Sequence, residues 1–202
     1  MKSTNSDIDF SDDYKQFGFD YFDNSDIQVG YGGYKYDGRY SRAVHRIAEH
    51  YDLQPDSRIL EVGCAKGHVL LEFHKCGFNV MGVDKSAYGV ENANEDIRNY
   101  VMQGDIDSLP FPDNAFDLVL GKEILPHVGE ENIESAILEC MRVSKGKIFF
   151  EIQCGRTQEE LDLIKQWDCT HQTLQTPDWW ESLFAKLRYP GDVHYKVLFP
   201  VE

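Results

Sequence analysis

Between Arg58 and Leu70 the sequence reads RILEVGCAKGHVL: a short apolar run carries an acid, Glu61, and glycines follow at Gly63 and Gly67 before an amphipathic pattern begins. This is how a strand turns sharply into a helix where the backbone must pass close to a ligand. A nicotinamide or flavin cofactor would want G-x-G-x-x-G, but counting from Gly63 the required positions hold Ala65 and His68, so that fingerprint is absent. Further along, GKEILPHVGEE offers Lys122, Glu123 and His127 as polar groups for proton transfer at a sheet edge. His127 reads as a surface histidine titrating near neutrality or as a base, and Glu123 carries the same two readings. Cys169 and His171 have metal-ligand chemistry but no partner at suitable spacing, so the sequence assigns no metal.

The elements that must hold these residues alternate. RILEVG, NVMGVD, YVMQGD, FDLVLG and GKIFFEIQ are short and apolar or β-branched, as buried strands are. Helical spacing recurs from Ser41 to Tyr51, in GHVLLEFHKCG, in AYGVENANEDI and in NIESAILECMRV. In the tail, TQEELDLIKQW and PDWWESLFAKLRY read as helices, the second opened by Thr176 as cap and Pro177 at its first position. DVHYKVLF follows as a last strand. Strands alternating with helices through short connections predict an α/β fold, Rossmann-like and doubly wound, with helices on both faces of a mostly parallel sheet and an antiparallel C-terminal strand.

A chain of 202 residues suits one domain. Residues 1–26, rich in Asp, Ser and Asn, read as an acidic, flexible arm, and 27–202 as the folded domain. The formal net charge of −15 argues against a phosphate-backbone partner and an anionic membrane surface. No apolar run approaches the roughly 20 residues of a spanning helix, and the first residues lack the apolar core of a secretory signal, which points to the cytoplasm. Five cysteines without C-x-x-C spacing read as free thiols. The sequence leaves the oligomeric state open.

With Glu61, Gly63 and Gly67 in acid-x-Gly-x-x-x-Gly order, Asp84 closing VMGVDKS, and QGDIDSLPFPDNAFDLVL beyond, the chain from about Gly32 to Phe199 resembles class I S-adenosylmethionine-dependent methyltransferases. The resemblance implies S-adenosylmethionine as cofactor. Its methionine end would face the backbone of Gly63, Cys64, Ala65 and Gly67, with Glu61 balancing the ammonium. Asp84 would accept the ribose hydroxyls, the stem of Lys85 would lie along the adenine, and Gly104, Asp105 and Ile106 would meet its polar edge. YGGYKYDGRYSRAV resembles an N-terminal segment of small bacterial methyltransferases, which places Tyr34 and Arg39 near the cofactor; Lys122 joins them from the fourth strand. The family usually has glycine where this chain has Ala65, and a histidine where it has Pro126, one step before His127. The expected reaction is methyl transfer to O or N of a small-molecule acceptor. The alternatives are a catalytically silent cofactor-binding protein and a methyltransferase acting on protein or nucleic acid.

Overall fold

The computed structural model describes residues 10–27 and 29–197. Two short helices, α1 (Asp12–Lys15) and α2 (Phe19–Phe22), precede α3 (Ser41–His50), after which strand and helix alternate. The order is β1 (Arg58–Val62), α4 (His68–Lys75), β2 (Asn79–Asp84), α5 (Ala87–Glu91), β3 (Val101–Gln103), β4 (Leu118–Lys122), α6 (Ile133–Val143) and β5 (Ile148–Cys154). The chain then runs through α7 (Gln158–Trp167), α8 (Pro177–Leu187) and β6 (Asp192–Val197). Side-chain caps start several helices: Thr176, expected as a cap, accepts from Trp179 N–H, Ser86 from Gly89 N–H and Thr157 from Glu160 N–H.

The strands form one six-stranded sheet in the order β3-β2-β1-β4-β5-β6. Every pairing is parallel, including β6 on β5, where Phe149 pairs Asp192 and Cys154 pairs Val197. The expectation of an antiparallel C-terminal strand is therefore corrected. Between β5 and β6 the chain makes a full crossover through α7 and α8, which returns it to the starting edge of the sheet in the same direction.

Alternate strand residues feed two cores. Leu60, Val119, Phe150 and Ile152 pack with α6 and α8 on one face, while Ile59, Leu118 and Leu120 pack with Val44 of α3 and Val69 to Phe73 of α4 on the other. Strand order reverses between β1 and β4, and the crevice at the carboxyl ends of those two strands is where doubly wound sheets bind ligands. Among the described residues, no helix is long and apolar enough to cross a membrane.

The N-terminal stretch departs from the sequence reading. Residues 1–9 lie outside the described residues, but Tyr14, Phe17, Tyr21 and Phe22 are buried and form a third cluster with Val29 and Ala65. Residues 10–26 are thus a docked segment rather than a flexible arm. Aromatic burial offsets the ordering cost that its polar composition suggested would dominate.

Candidate functional site

After β1 the backbone turns through Gly63 at φ +69°, and α4 opens on Gly67 at φ +71°, both in the left-handed region. A Cβ on Gly63 would lie 2.5 Å from Cγ1 of Ile124, so the glycine also lets the loop after β4 close against the turn. Between them, Ala65 adopts φ +51°, a conformation costly for a residue with a side chain. Its N–H donates to Asp84 Oδ2 at 2.7 Å, while Ser86 N–H donates to Oδ1 at 2.8 Å. Asp84 therefore ties the end of β2 to the turn after β1. Burial raises its pKa despite both backbone donors.

Glu61 is buried behind the turn, and its Oε2 accepts Leu70 N–H at 3.0 Å, satisfying a donor in the first turn of α4. Burial pushes its carboxyl up to about 8, so at neutral pH the free protein holds it mostly protonated. A buried acid of this kind is ready to ionise when a cation arrives beside it.

Gly63, Asp84, Lys85, Gly104, Asp105 and Ile106 line one cavity of about 150 Å³ at the carboxyl ends of β1, β2 and β3. A second cavity of about 40 Å³ shares Gly63, Asp84 and Lys85 and adds Ala65, Lys122 and Glu123. Its roof is the N-terminal segment, through Phe17, Tyr21, Phe22 and Tyr31. Both are smaller than the roughly 300–1,000 Å³ of pockets that hold drug-sized ligands, so the segment stands closed over the crevice. It is pinned by its own contacts. Ser86 Oγ donates to the Phe17 carbonyl at 2.6 Å, the Lys85 ammonium lies 4.4 Å from the Phe17 ring centroid, and Asp23 accepts from Lys66 and, at 2.7 Å, from Tyr88.

Two expected cofactor residues lie apart from these cavities. Tyr34 stacks on His68 with centroids 4.2 Å apart, and Arg39 spends its guanidinium on Asp37 at 2.6–2.9 Å; both line a separate surface cavity. Asp37, two residues back, captures the arginine locally. Cys64 is buried under the turn and, with Glu61 and Gly67, lines neither crevice cavity.

On the β4 side, Lys122 donates to Glu123 at 2.8 Å and lies 3.4 Å from Glu151, and Lys196 also donates to Glu123. Burial pushes the Glu123 carboxyl up, but the two lysine charges outweigh it and hold its pKa below the usual range. A carboxylate held by two ammoniums is a poor proton acceptor, which weakens the expectation of Glu123 as a base.

His127 is not the surface residue that one reading foresaw. It is buried, lines both crevice cavities, packs edge-on against Phe17 and stacks on His171 with centroids 4.5 Å apart. Thr170 Oγ1 donates to Asp168 Oδ1 at 2.6 Å and lies 3.0 Å from His127 Nδ1. With its single hydrogen committed to Asp168, Thr170 can only accept from His127. That places the imidazole proton on Nδ1 and leaves the Nε2 lone pair free. Burial and the adjacent His171 depress the pKa of His127, keeping the ring neutral. Sequence reasoning missed Asp168 and Thr170 and left His171 without a partner; the run DCTH was the only local signal.

Compared with known proteins, residues 60–150 match the model of the family described as "Methyltransferase domain". The matched residues are a methyltransferase domain of the class I, S-adenosylmethionine-dependent type. Domains of this class use S-adenosylmethionine as methyl donor. Among curated proteins, the chain is 33% identical over 127 residues to sterol 24-C-methyltransferase ERG6B of Gibberella zeae, covering 58% of this chain and 33% of that protein. It is 29% identical over 117 residues to the ubiquinone biosynthesis O-methyltransferase of Rickettsia bellii, covering 54% of this chain and 46% of that protein. The chain thus spans less than half the length of these relatives. Among solved structures, YcgJ of Bacillus subtilis superposes with a TM-score of 0.62 at 22% identity, covering 72% of this chain and 67% of YcgJ, which shows a shared fold.

Proposed function

We propose that the protein transfers a methyl group from S-adenosylmethionine to an oxygen or nitrogen of a small-molecule acceptor. The observation that carries this reading is that Asp84 and Asp105 share one cavity with the Gly63 turn, with Glu61 buried behind that turn, at the β1/β4 switch point of a methyltransferase domain. The donor set fits the cofactor. Asp84 would accept the ribose hydroxyls, and Asp105 and the Ile106 N–H would meet the adenine edge beside Gly104 and Lys85. The turn from Gly63 through Ala65 would hold the methionine end, and Glu61 would ionise against its ammonium. Bound there, S-adenosylmethionine supplies a methyl group activated by its sulfonium.

What remains for the chain is to position an acceptor in line, exclude water and receive a proton. Phe17, Tyr21 and Tyr31 form the cover that excludes water. The Nε2 lone pair of His127, oriented through Thr170 and Asp168, is the group able to receive an acceptor proton; Glu123 is held by its lysines. A hydroxyl acceptor draws support from this lone pair and from the O-methyltransferase relative.

The test is transfer of labelled methyl from S-adenosylmethionine across a panel of small phenols, alcohols and amines. Transfer by the wild type, reduced at least tenfold by Asp84→Asn, is the expected outcome. Tight cofactor binding with no transfer to any acceptor class would favour the silent binding protein instead.

A further inference from the structure

His127, in the turn after β4, meets Asp168 and His171 from the segment after α7. All three are buried, and one ligand atom from each lies within 4.8 Å of the others. The hydrogen bonds fix which atoms are available. His171 Nδ1 lies 3.1 Å from the Asp168 carbonyl, which can only accept, so its proton sits on Nδ1 and Nε2 carries a lone pair. The Thr170 contact imposes the same tautomer on His127. Among the described residues, His171, 3% exposed, leaves its Nε2 with no hydrogen-bond partner. A buried acceptor without a donor demands a ligand.

Two neutral imidazoles and a carboxylate are the donor set of borderline divalent transition ions rather than of Mg²⁺ or Ca²⁺. The outer contacts fit the same reading. Ligating histidines donate their other N–H to a protein oxygen, as both do here, and ligating carboxylates are themselves hydrogen-bonded. Asp168 accepts from Thr170 N–H at 2.9 Å, from Thr170 Oγ1 and from the Tyr21 hydroxyl at 3.4 Å. At metal–nitrogen distances of about 2.0–2.1 Å, ligand atoms on one ion lie roughly 3.0–3.4 Å apart, so the three side chains would have to draw together to hold it. Beside the cluster is a cavity of about 60 Å³ reached by His127, Asp168 and the Gln153 amide, whose nitrogen has no partner among the described residues, large enough for an oxygen ligand.

We propose that His127, Asp168 and His171 bind one divalent first-row transition ion, with its open coordination positions facing the acceptor end of the crevice. Binding of the ion stands on the cluster alone; its service to an acceptor oxygen rests on the methyl-transfer reading and deepens it. The lone pair that would otherwise receive the acceptor proton then holds the ion: the acceptor hydroxyl would give its proton to bulk water as its oxygen binds the ion, the carbon–sulfur bond of the sulfonium would break as the oxygen–carbon bond forms, and S-adenosylhomocysteine would leave.

The experiment is titration of the chelator-treated full chain with Co²⁺, read by visible absorption, and with Zn²⁺, read by calorimetry, with no S-adenosylmethionine present. One ion per chain is expected, with a Co²⁺ spectrum of nitrogen and oxygen ligation. His171→Ala and Asp168→Asn should each abolish stoichiometric binding, and Thr170→Val should weaken it about 10- to 100-fold, as outer-shell losses do. Thermal melts with and without Zn²⁺ guard against misfolding: only the wild type should show the full upward shift. Absence of stoichiometric binding by the folded wild type, or binding unchanged in the folded variants, overturns the site. Calorimetry with S-adenosylmethionine on the same samples reports separately on the cofactor reading.

Discussion

Replacing Phe17 by alanine should open the crevice. The Phe17 ring is buried at 8% exposure, edge-on to Tyr21 at 4.8 Å and to His127 at 5.6 Å between centroids. Burying such a side chain contributes about 1.5–3 kcal/mol, an upper estimate because the unfolded or undocked segment retains some burial of its own. The Ser86 bond to the Phe17 carbonyl does not involve the ring and survives the substitution. If the docked segment must lift before the methionine end enters the cavity of about 40 Å³, losing this energy raises the open fraction about 10- to 100-fold, and apparent association speeds up in proportion while the open form stays minor. Stopped-flow fluorescence measures this, because Trp167 lines a cavity beside Tyr21 and reports on the segment. Dissociation should quicken as well, since the same ring closes over bound ligand. Faster amide exchange at residues 14–22 with an unchanged association rate would refute the reasoning: the segment would then be packing, not a gate.

Asp84→Asn should weaken S-adenosylmethionine at least tenfold by calorimetry; Asp84→Ala should in addition lower stability by about 2–4 kcal/mol in urea melts, because it strands the N–H groups of Ala65 and Ser86. Ala65→Gly relieves a left-handed residue by about 1–2 kcal/mol but adds about 0.5–1 kcal/mol of chain entropy and removes a buried methyl of about 0.8 kcal/mol. The net change in urea midpoint should therefore be small, and a loss above about 2 kcal/mol would mean that its Cβ is essential to docking the segment. Glu61, raised from 4.5 to about 8, binds its proton more tightly folded than unfolded. Its contribution to stability is full below pH 4.5 and is lost as pH rises to about 8. Relative to Glu61→Gln, the wild type should lose stability across that window, and its binding of S-adenosylmethionine at neutral pH should release a proton, seen as a buffer-dependent enthalpy that the variant lacks.

The parts of the site legible in the sequence are those built by contiguous chain. Gly63, Gly67 and Asp84 sit where a strand hands over to a turn, and the residue types alone mark backbone that needs positive φ or an acid at a strand end. The direction of β6 was not legible, because it depends on how α7 and α8 carry the chain across the sheet rather than on the strand's own residues. Nor was the docking of residues 10–26. Phe17 and Tyr21 lie on segments too short for periodicity, and their burial comes from meeting Ala65, Lys85 and His127. The His127 and Thr170 contact joins positions 43 residues apart, so neither the tautomer of His127 nor the partner of His171 has a spacing that a linear reading could find. Arg39 failed for the opposite reason: its nearest acid is two residues away.

Calorimetry with S-adenosylmethionine, S-adenosylhomocysteine and NAD tests the central claim most directly. The first two should each bind at one per chain, both weakened at least tenfold by Asp84→Asn, and NAD should not bind. A folded protein that binds neither sulfur compound, or that binds NAD as well as either, would contradict the assignment of the Gly63 turn and Asp84 as its cofactor site.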